Sequence, residues 1–527
     1  MLLHDVPRAA AASEPSAPSL VAGDRRWDAV GFAELVDALG SGLARHSVPG
    51  DRVAVVADNR PEFAALLYAA PRAGTLLAMG NTRHTTDELV DVLADAAPTV
   101  VVGTTEHVER LVERADDLGS VRSWWSLDDP PPGARHVDDL LAGPVVEPAP
   151  AHEDDPVWLI HTSGTTGRPK GVLLTHRSVL AAVANGAEAR PMGPDDVYMF
   201  PFPLFHIAAY NVVHAHQQGR PVVLAARFDA ADALATIERE RVTQVSLAPT
   251  MVAMLLDHPD RAATDLSSLS RISYGASAMP PDLIRRTLAE LPGVGLAQGY
   301  GMTELSGNAV FLGPEDHRQA VDDAPELLAA AGRPGPLVRV RIADEAGDEL
   351  PTDTAGEILV SGPQVCAGYW NQPEETAAVL HTDPDGTAWI RTGDLGTVDD
   401  DGVLRIVDRL KDLVITGGEN VSSREVEDVL AGHKLVRAVA VVGTPDERWG
   451  EAVCAAVVWT DGTDPDLAPT ELRAWSEGRL AGFKRPRHVV TFDTLPTNAS
   501  GKVDKRAVRS AVLAAVRAPR APAAGAG

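Results

Sequence analysis

The sequence predicts an α/β protein with a large N-terminal domain of two helix-covered β-sheets plus a small β-barrel, followed by a small mobile α+β domain. Apolar strand-like segments alternate with amphipathic helical segments up to about residue 330, which is typical of mostly parallel sheets covered by helices. From Val338 to Ile342 valines and isoleucine alternate with arginines, and turns become frequent; this pattern favours antiparallel strands. The final segment, of about 115 residues, has the size of a separate domain.

The first sheet is expected between residues 27 and 102. Helical periodicity over residues 27–45 places Phe32, Val36 and Leu43 on one face. Further helices are expected at 61–72 and 87–96, and strands at 52–57, 75–78 and 99–102. Residues 127–156 carry clustered prolines and acidic residues and are expected to form a connection.

The same kind of sequence pattern predicts the elements of the second sheet and of the regions that follow it. We expect the strands of the second sheet at 197–202, 221–225, 243–247, 271–274 and 295–298, and its helices at 230–240, 250–257 and 281–291. Antiparallel strands are expected at 357–360, 388–391 and 403–407. Ser422 and Glu425 have the spacing of a capping box at a helix start in the small domain.

These patterns give the expected domain limits. The N-terminal domain is expected at residues 1–407, with disorder over 1–26. The charge-rich residues 408–412 are expected to connect it to a C-terminal domain at 413–527, with disorder over 518–527.

Composition limits the class of protein. A chain of 527 residues is too long for one core, so at least two domains are expected. The net charge of −27 makes nucleic acid and anionic membrane surfaces poor partners, whereas ATP depends only on local charge. Cys366 and Cys454 cannot build a disulfide framework, and we expect buried free thiols. No secretory signal or membrane span is expected, and the predicted compartment is the cytoplasm.

One loop dominates the sequence. His161 to Gly171 contains three glycines, three threonines, a serine and two cations, directly after the apolar segment Val157–Ile160. Glycines let backbone N–H groups face a ligand, hydroxyls add donors and Lys170 adds a positive charge, so the loop is suited to polyphosphate. It does not follow the common P-loop pattern, and no dinucleotide-binding glycine fingerprint accompanies it.

This loop resembles the phosphate-loop signature of the adenylate-forming, or AMP-binding, superfamily, which includes acyl-CoA synthetases, peptide-synthetase adenylation domains and beetle luciferases. The chain is most similar to acyl-CoA synthetases and fatty-acid–CoA ligases. The resemblance implies that the ATP phosphates contact the following loop residues: Thr162, Ser163, Gly164, Thr165, Thr166, Gly167 and Lys170.

Further motifs of the same family occur in the expected order. Tyr300-Gly301-Met302-Thr303-Glu304 resembles the element that stacks on adenine, contacts the α-phosphate through Thr303 and holds Mg²⁺ through Glu304. Gly275-Ala276-Ser277 resembles the small-residue segment beside the adenine. Asp394 and Arg409 resemble the ribose-binding pair.

Three motifs in the last part of the chain complete the resemblance. Lys411 matches the hinge position, so the resemblance implies a hinge at residues 408–412 and a C-terminal lid domain at 413–527. Gly417 and Gly418 match the glycines that line the pantetheine tunnel for coenzyme A. Lys502, in Asn498 to Lys502, resembles the catalytic lysine that bridges the carboxylate and the α-phosphate.

The acyl pocket is the least specified part of the prediction. His206 matches a gate residue at this pocket and is counted among the catalytic residues with Lys502, Thr303 and Glu304. Small side chains leave space for a medium-to-long chain or an aryl group, whereas Tyr210 and Asn211 could bind a polar substituent. The expected pocket wall is His206, Ala209, Tyr210, Tyr274, Gly299 and Gly307.

The resemblance implies an AMP-forming ligase that uses ATP, Mg²⁺ and coenzyme A to activate a small carboxylic acid and pass its acyl group to the thiol. Transfer to an acyl carrier protein or to a non-thiol nucleophile is an alternative. A non-catalytic adenylate-binding protein is a further alternative, which Lys502, Glu304 and Asp394 disfavour. The sequence indicates no oligomeric state.

Overall fold

The structure is a computed structural model that describes residues 1–162, 169–275, 277–446, 448–464, 467–498 and 502–517. The chain forms two compact units. Unit 1 comprises residues 1–341, 359–391 and 398–405, and unit 2 comprises residues 342–358, 392–397 and 406–527. Residues 342–358, 392–397 and 406–407 lie within the expected N-terminal domain but belong to unit 2.

The α-helices fall mostly where the apolar periodicity predicts them. In chain order they are α1 (Asp5–Ser13), α2 (Ala29–His46), α3 (Pro61–Arg72), α4 (Thr86–Ala96), α5 (Thr105–Val112), α6 (Val137–Leu141), α7 (His176–Ala189), α8 (Tyr210–Gln217), α9 (Ala230–Glu240), α10 (Pro249–Asp257), α11 (Pro281–Glu290), α12 (Pro314–Asp322), α13 (Pro373–Val379), α14 (Ser423–Ala431), α15 (Ala468–Ser476) and α16 (Lys505–Arg517).

The β-strands of the first half of the chain are β1 (Pro18–Ala22), β2 (Arg25–Asp28), β3 (Arg52–Val56), β4 (Leu76–Met79), β5 (Val100–Gly103), β6 (Ser123–Ser126), β7 (Arg135–His136), β8 (Pro156–Thr162), β9 (Lys170–Thr175), β10 (Tyr198–Phe200), β11 (Val222–Leu224), β12 (Gln244–Leu247) and β13 (Arg271–Gly275). Those of the second half are β14 (Gly295–Met302), β15 (Gly307–Leu312), β16 (Ala330–Pro334), β17 (Arg339–Ala343), β18 (Gly356–Ser361), β19 (Gly368–Tyr369), β20 (Leu380–Thr382), β21 (Ala388–Val398), β22 (Leu404–Arg409), β23 (Val414–Thr416), β24 (Glu419–Val421), β25 (Val436–Asp446), β26 (Gly450–Trp459) and β27 (His488–Thr491).

The first sheet of unit 1 has eight strands in the order β19-β9-β8-β4-β3-β5-β6-β7. Strands β3 to β8 pair in parallel, and only β8–β9 and β9–β19 are antiparallel. The central strands are apolar and buried over most of their length, with Arg52 at the start of β3 and His161 and Thr162 at the end of β8 as the polar positions, as expected for a sheet covered on both faces. The β8–β9 hairpin near one edge therefore carries the phosphate-loop sequence on a rigid support.

The second sheet of unit 1 includes the order β16-β15-β14-β13-β12-β10-β11-β1-β2. Its strands from β11 to β14 are parallel, and the chain reverses between β14 and β15. A large apolar core packs one face of this sheet. Ligands in open α/β sheets bind outside the carboxyl ends of the strands, which here places the motifs after β13 and β14 at one edge. The predicted α/β fold class is confirmed.

The strands expected to form a small β-barrel adopt a different arrangement. Strands β17, β18, β21 and β22 are neighbours, and β22 also pairs with β16 through Ala330 and Arg405. They therefore extend the second sheet instead of closing on themselves. The boundary between the two units passes through each of these four strands.

Unit 2 contains a five-stranded sheet in the order β24-β23-β26-β25, with β27 beside β26. Strand β26 alternates its side chains between two apolar clusters: Val453 and Val457 pack toward α14 and α15, whereas Cys454 and Ala456 pack toward α16. This period of two is what a sheet covered on both faces requires. The predicted α+β character of the C-terminal part follows from this sheet and its covering helices.

The expectation of disorder over residues 1–26 is wrong. Residues 5–13 form helix α1, and Leu3, Val6 and Leu20 are buried. The Leu3 amide donates to Nδ1 of His176 at 2.9 Å. The alanine-rich composition suggested disorder, but a few apolar side chains supply enough burial to order the segment. The predicted disorder of residues 518–527 concerns positions outside the described residues.

In the described part of the chain, no helix combines the length and apolar character needed to cross a membrane.

His216, on α8, gives a prediction for stability. Its buried ring accepts a hydrogen bond from the Tyr68 hydroxyl at Nδ1 (2.8 Å), and Nε2–H donates to the Ser19 carbonyl (3.2 Å). Burial lowers the pKa of His216 from 6.5 to about 4. As the pH falls, the His216 ring is therefore protonated in the unfolded chain before it is protonated in the folded protein. The contribution of His216 to the free energy of unfolding is complete above pH 6.5 and decreases by up to ~3 kcal/mol down to about pH 4.

Thermal unfolding of the wild type and of His216→Gln at pH 7.5 and pH 4.5 checks this prediction. Glutamine does not titrate, so we expect the melting temperature of the variant to fall less over this interval. Other buried histidines, including His176, leave a residual pH dependence in both proteins. Equal falls in the two proteins would contradict the role of His216.

Candidate functional site

The phosphate-loop sequence connects strands β8 and β9. Thr162, at the end of β8, and Lys170, at the start of β9, are directly opposite each other in the antiparallel register. The predicted loop residues Ser163, Gly164, Thr165, Thr166 and Gly167 lie outside the described residues. The hairpin nevertheless fixes the two ends of the loop, so the backbone position of Lys170 is set by strand pairing.

The Lys170 side chain is buried between two neighbours. Its ammonium forms an ion pair with Glu375 and lies 5.0 Å from the centroid of the Tyr369 ring. Glu375 is the more exposed partner, with 40% of its side chain accessible. A phosphate group could take the place of the Glu375 carboxylate beside the Lys170 ammonium, because both groups are anions that pair with one cation.

Glu304 lies just after β14, in a short 3₁₀ helix formed by Thr303–Leu305. It is only 7% exposed. The Tyr369 hydroxyl donates to its Oε1 at 2.9 Å, and its backbone carbonyl accepts from the Cys366 amide at 2.9 Å. Burial and the Glu304 charge raise the pKa of Tyr369, so this phenol remains a donor.

Cys366 is not suited to nucleophilic chemistry. Its thiol is buried, and burial together with the nearby Glu304 charge raises the pKa of Cys366 to about 12. The thiolate is the nucleophilic form of cysteine. Both cysteines are free and buried, in agreement with the sequence prediction.

The two-residue strand β19 joins the Glu304 and Lys170 regions. Tyr369 pairs with Val172 of β9, while its side chain contacts both Glu304 and Lys170. Gly368 has φ +120°, and a Cβ there would meet the Thr376 side chain at 2.5 Å. Sequence reasoning did not identify Tyr369, because its partners are distant in the chain and the dipeptide Gly-Tyr has no distinctive pattern.

Glycines bring β13, β14 and β15 into unusually close contact. Gly275 lies opposite Gly299 in the parallel register, and a Cβ on Gly275 would lie 2.8 Å from the Gly299 carbonyl oxygen. A Cβ on Gly301 would lie 2.0 Å from the Gly307 carbonyl oxygen. The backbone exposed by such glycines can approach a planar ligand closely.

The remaining members of the predicted adenine-binding set lie in this region. Tyr300, Gly301 and Met302 form the end of β14, all half-buried, and Thr303 follows them. Ser277 is exposed, and Ala276 lies outside the described residues.

A buried amide network holds the turn that follows Glu304. The Gln364 side chain donates to the backbone carbonyls of Leu305 (2.8 Å) and Asn308 (3.2 Å). Asn185, on α7, donates to the Gln364 side chain at 3.0 Å. Because these groups are buried and mutually satisfied, they fix the turn in one conformation.

The predicted acyl-pocket residues come together in part. Ala209 and Tyr210 mark the start of α8, and the Tyr210 ring lies so close to Gly307 that a Cβ there would be 3.0 Å away. His206 is half-buried and precedes this helix, with its ring 4.6 Å from that of Phe205. A Cβ on Gly299 would meet the side chain of Asn308.

Tyr274 differs from the prediction. Its side chain is buried in the core of the second sheet, where its hydroxyl contacts His317 at 2.8 Å and donates to Gln298 at 3.0 Å. Successive residues of a strand point to opposite faces, so the face that Tyr274 occupies is not that of Gly275. The structure therefore does not group Tyr274 with Tyr210 and Gly307.

In unit 2, Asp394 and Arg409 form an ion pair, with Arg409 Nε 3.2 Å from Asp394 Oδ1. Asp394 is 6% exposed, whereas the Arg409 side chain is mostly accessible. Gly393, with φ +71°, donates its amide to Glu357 at 3.2 Å, and the Asp394 amide donates to Thr392 Oγ1 at 3.1 Å. The turn therefore presents a fixed carboxylate that can accept two hydroxyl hydrogen bonds.

Lys502 also belongs to unit 2 and is exposed to solvent. Its amide donates to the Asn498 side chain at 3.1 Å, and its carbonyl accepts from the Asn498 amide at 2.7 Å. The pKa of the Lys502 ammonium is lowered, first because the surrounding protein removes part of its hydration and then because of the positive charge of Arg409. The negative charge of Asp394 acts in the opposite direction. The structure thus brings the predicted catalytic lysine into the electrostatic neighbourhood of the predicted ribose-binding pair.

Gly417 and Gly418 have φ of +63° and +86°. The Gly417 amide donates to the Trp449 carbonyl at 2.7 Å, and a Cβ there would meet the indole at 2.8 Å. Arg448 and Arg487 place their guanidinium carbons 5.0 Å and 4.7 Å from the indole centroid. This combination of an aromatic ring and two cations was not anticipated from the sequence.

Lys411 is exposed and lies in a short 3₁₀ helix formed by Leu410–Asp412. It lies between β22 and β23, within unit 2. The hinge itself remains a prediction.

A metal site of three or more His, Cys, Asp or Glu side chains is absent from the described ranges. Magnesium is commonly held by one or two carboxylates, with phosphate oxygens and water as the other ligands. The buried carboxylate of Glu304, beside the Lys170 region, fits this requirement.

Comparison with known proteins gives consistent matches over nearly the whole chain. The chain is 39% identical to feruloyl-CoA synthase from Amycolatopsis sp., over 91% of this chain and 94% of that protein. It is 36% identical to indoleacetate–CoA ligase from Aromatoleum aromaticum, over 95% and 96% of the two chains. Among solved structures, amide bond synthetase McbA from Marinactinospora thermotolerans matches with a TM-score of 0.85 and 34% identity, over 97% and 99% of the two chains.

Two family matches cover both parts of the chain. Residues 7–370 match the AMP-binding enzyme family, and residues 425–502 match the AMP-binding enzyme C-terminal domain. The family predicted from the phosphate loop and the later motifs is therefore confirmed. The chain belongs to the AMP-binding enzyme family.

Proposed function

We propose that this chain is an AMP-forming ligase that activates a small carboxylic acid with ATP and transfers the acyl group to coenzyme A. The observation that carries the proposal is the position of Tyr369, which contacts both Glu304 and Lys170. These two residues come from separate motifs, and together they supply the carboxylate and the cation that a magnesium–polyphosphate group requires. The cytoplasm, which supplies ATP and coenzyme A, is the proposed compartment.

In the first half-reaction, an oxygen of the substrate carboxylate attacks the α-phosphorus of ATP, and the bond to the pyrophosphate oxygen breaks. Lys170 holds the leaving phosphates, and Thr303 contacts the α-phosphate. Lys502 stabilises the negative charge that develops between the carboxylate and the α-phosphate. Such displacements depend on positioning and electrostatics. Magnesium, held by Glu304, would neutralise phosphate charge.

In the second half-reaction, the thiol sulfur of coenzyme A attacks the acyl carbon, the bond to the AMP oxygen breaks, and the thiol proton passes to solvent. The Trp449 indole offers a face for stacking, and Arg448 and Arg487 offer charge for phosphates. Gly417 and Gly418 leave the adjacent backbone free of side chains. These features support a nucleotide-bearing thiol as the acceptor.

Rotation of the C-terminal domain about Lys411 would let one site serve both half-reactions, with Lys502 used in the first and the Gly417 region in the second. We also propose that the two domains end and begin on either side of this hinge, at residues 407 and 413. Replacement of a hinge residue would slow the exchange between the two states without changing either set of contacts.

The names of the relatives support this function and also its alternative. Two relatives are named as CoA ligases of aromatic acids, feruloyl-CoA synthase and indoleacetate–CoA ligase. The structural neighbour McbA is named as an amide bond synthetase, so the same fold also serves transfer to an amine. Transfer to an acyl carrier protein or to an amine is therefore the second candidate.

Pyrophosphate release tests the proposal. The enzyme is incubated with ATP, magnesium and a panel of aryl and fatty acids, with and without coenzyme A, and products are identified by mass. Acid-dependent pyrophosphate release with an acyl-CoA product supports the ligase. Acid-dependent release without a thioester favours another acceptor, and no release with any acid contradicts the proposal.

Asp394 gives a specific prediction for ATP binding. Asp394→Asn keeps the shape of the side chain but removes the charge that accepts hydrogen bonds from both ribose hydroxyls. We expect the KM for ATP to rise about 10-fold. The same substitution measured with 3′-deoxy-ATP should raise KM much less, because one of the hydroxyl contacts is already missing.

A matched control is Asp401→Asn, in an exposed turn of the same region. It should leave the KM for ATP within about twofold. If Asp394→Asn raised KM equally for ATP and 3′-deoxy-ATP, the carboxylate would not contact that hydroxyl.

A further inference from the structure

Arg190 is a buried cation that forms no ion pair with any carboxylate of the described residues. It directly follows α7 and is 6% exposed. Its Nη2 donates to the Tyr210 hydroxyl oxygen at 2.8 Å and to Asn211 Oδ1 at 3.0 Å, and both acceptors are uncharged. Its Nε is buried and has no hydrogen-bond partner within the described ranges.

This arrangement is costly, because a buried charge normally has an opposite charge beside it. Arg72 of the same unit shows the usual solution: it is 1% exposed and its Nε lies 2.7 Å from Asp37 Oδ1. Among described residues, no Asp or Glu oxygen forms an ion pair with Arg190. Within the part of the chain that the structure describes, no carboxylate therefore balances the charge of Arg190.

Nearby titratable groups do not supply the missing negative charge. Burial, followed by the charges of Arg190 and Arg271, lowers the pKa of His214 to about 3, so this histidine is neutral at physiological pH. Arg271 is a second cation close enough to interact with Arg190. Asp196 interacts with Arg271 and also accepts hydrogen bonds from Thr243 and Gln244.

Tyr210 connects this cation to the predicted acyl pocket. The Tyr210 oxygen accepts from Arg190, so its own hydrogen remains available, and no acceptor for it is found among the described side chains. A Cβ on Gly307, three residues after Glu304, would lie 3.0 Å from Cε1 and Cζ of Tyr210, so the hydroxyl-bearing end of the ring lies against this glycine. The Arg190 guanidinium carbon also lies 5.5 Å from the ring centroid of Phe311 on β15.

We propose that Arg190 and Tyr210 bind an acidic oxygen at the end of the substrate remote from the carboxylate that is activated. The substrate class is therefore a carboxylic acid with a second oxygen function, either a phenol or a second carboxylate. A guanidinium and a phenol O–H together provide charged and neutral donors for one such oxygen. This inference rests on the proposed function, because it concerns the acid that the same site activates.

The test compares acids that share a frame and differ only at the remote end. The aromatic set is cinnamate, 4-hydroxycinnamate and 4-carboxycinnamate, and the aliphatic set is octanoate and octanedioate. In the wild type we expect kcat/KM to be about 10- to 100-fold higher for an oxygenated acid than for its parent in at least one set. The hydroxyl and carboxyl members distinguish the two oxygen functions.

The deciding variant is Arg190→Met, which keeps the length of the side chain but not its charge. We expect it to reduce this ratio to about 1, because the remote oxygen then loses the guanidinium that would bind it. Arg190→Lys should retain an intermediate ratio, since lysine keeps the charge without the planar fork. The matched control Arg261→Met removes a partly buried arginine that is paired with Glu290, and it should keep the wild-type ratio.

The outcomes separate this inference from the proposed function. If the wild type releases pyrophosphate but shows no preference in either set, the inference is wrong and the proposed function stands. If Arg190→Met lowers kcat/KM for all acids and leaves the ratio unchanged, Arg190 has only a packing role, and the inference is overturned. Arg190→Lys is judged in the same way where the methionine variant does not fold. Absence of release with every acid overturns the proposed function, and the inference with it.

Discussion

Replacing Lys502 with alanine is expected to lower acid-dependent pyrophosphate release by about 100- to 1,000-fold, the usual effect of removing one group that stabilises charge in a transition state. The same variant should still transfer the acyl group from supplied acyl-adenylate to coenzyme A. The physical reason is that Lys502 acts on charge that develops only while pyrophosphate leaves. The two half-reactions are measured separately, by pyrophosphate release and by thioester formation from the adenylate.

Two control variants sharpen this test. Lys434→Ala removes an exposed lysine of the same unit and should affect neither half-reaction. Lys502→Arg keeps a positive charge and should lose less of the first half-reaction than Lys502→Ala. If Lys502→Ala lowered both half-reactions equally in a folded protein, separate use of Lys502 in the first step would be excluded.

Glu304→Gln is expected to have the second large effect, a loss of about 100-fold in adenylate formation with a higher requirement for magnesium. Glutamine has nearly the same shape, and its amide oxygen can still accept the hydrogen bond from Tyr369. The substitution therefore removes the negative charge while preserving the packing around the 3₁₀ helix Thr303–Leu305. Pyrophosphate release is measured across a series of magnesium concentrations.

Tyr369→Phe is the matched comparison for Glu304. It removes the hydroxyl that donates to Oε1 but keeps the carboxylate and the aromatic ring beside Lys170. We expect a smaller loss, of about 3- to 10-fold, because one hydrogen bond to a charged group is lost. A Glu304→Gln enzyme with wild-type rates at every magnesium concentration would exclude Glu304 as the metal ligand.

The sequence predicted the fold class and the family because both depend on local information. Strand β3 and helix α3 have the expected periodicities, and the phosphate loop is a contiguous segment. The pair Asp394 and Arg409 was also predicted, since each residue belongs to a recognisable motif. These features need no knowledge of which distant segments meet.

Other features depend on contacts between distant segments. Tyr369 became part of the candidate site only because β19 pairs with β9, and nothing in its neighbouring residues indicates that pairing. Arg190 is unusual because no described carboxylate pairs with it, and which side chains lie beside a buried arginine cannot be deduced from a linear sequence. Tyr274 was expected in the pocket wall, but its side chain packs in the core of the second sheet.

The two-residue strand β19 limits how this region can change in length. Adding one residue between Cys366 and Tyr369 would turn the Tyr369 ring to the opposite face of the sheet, because strand side chains alternate with a period of two. One small insertion would then deprive Glu304 of its hydroxyl donor and Lys170 of its aromatic neighbour together. We expect libraries of insertions and deletions to be depleted here, even though no residue of β19 takes part in the chemistry directly.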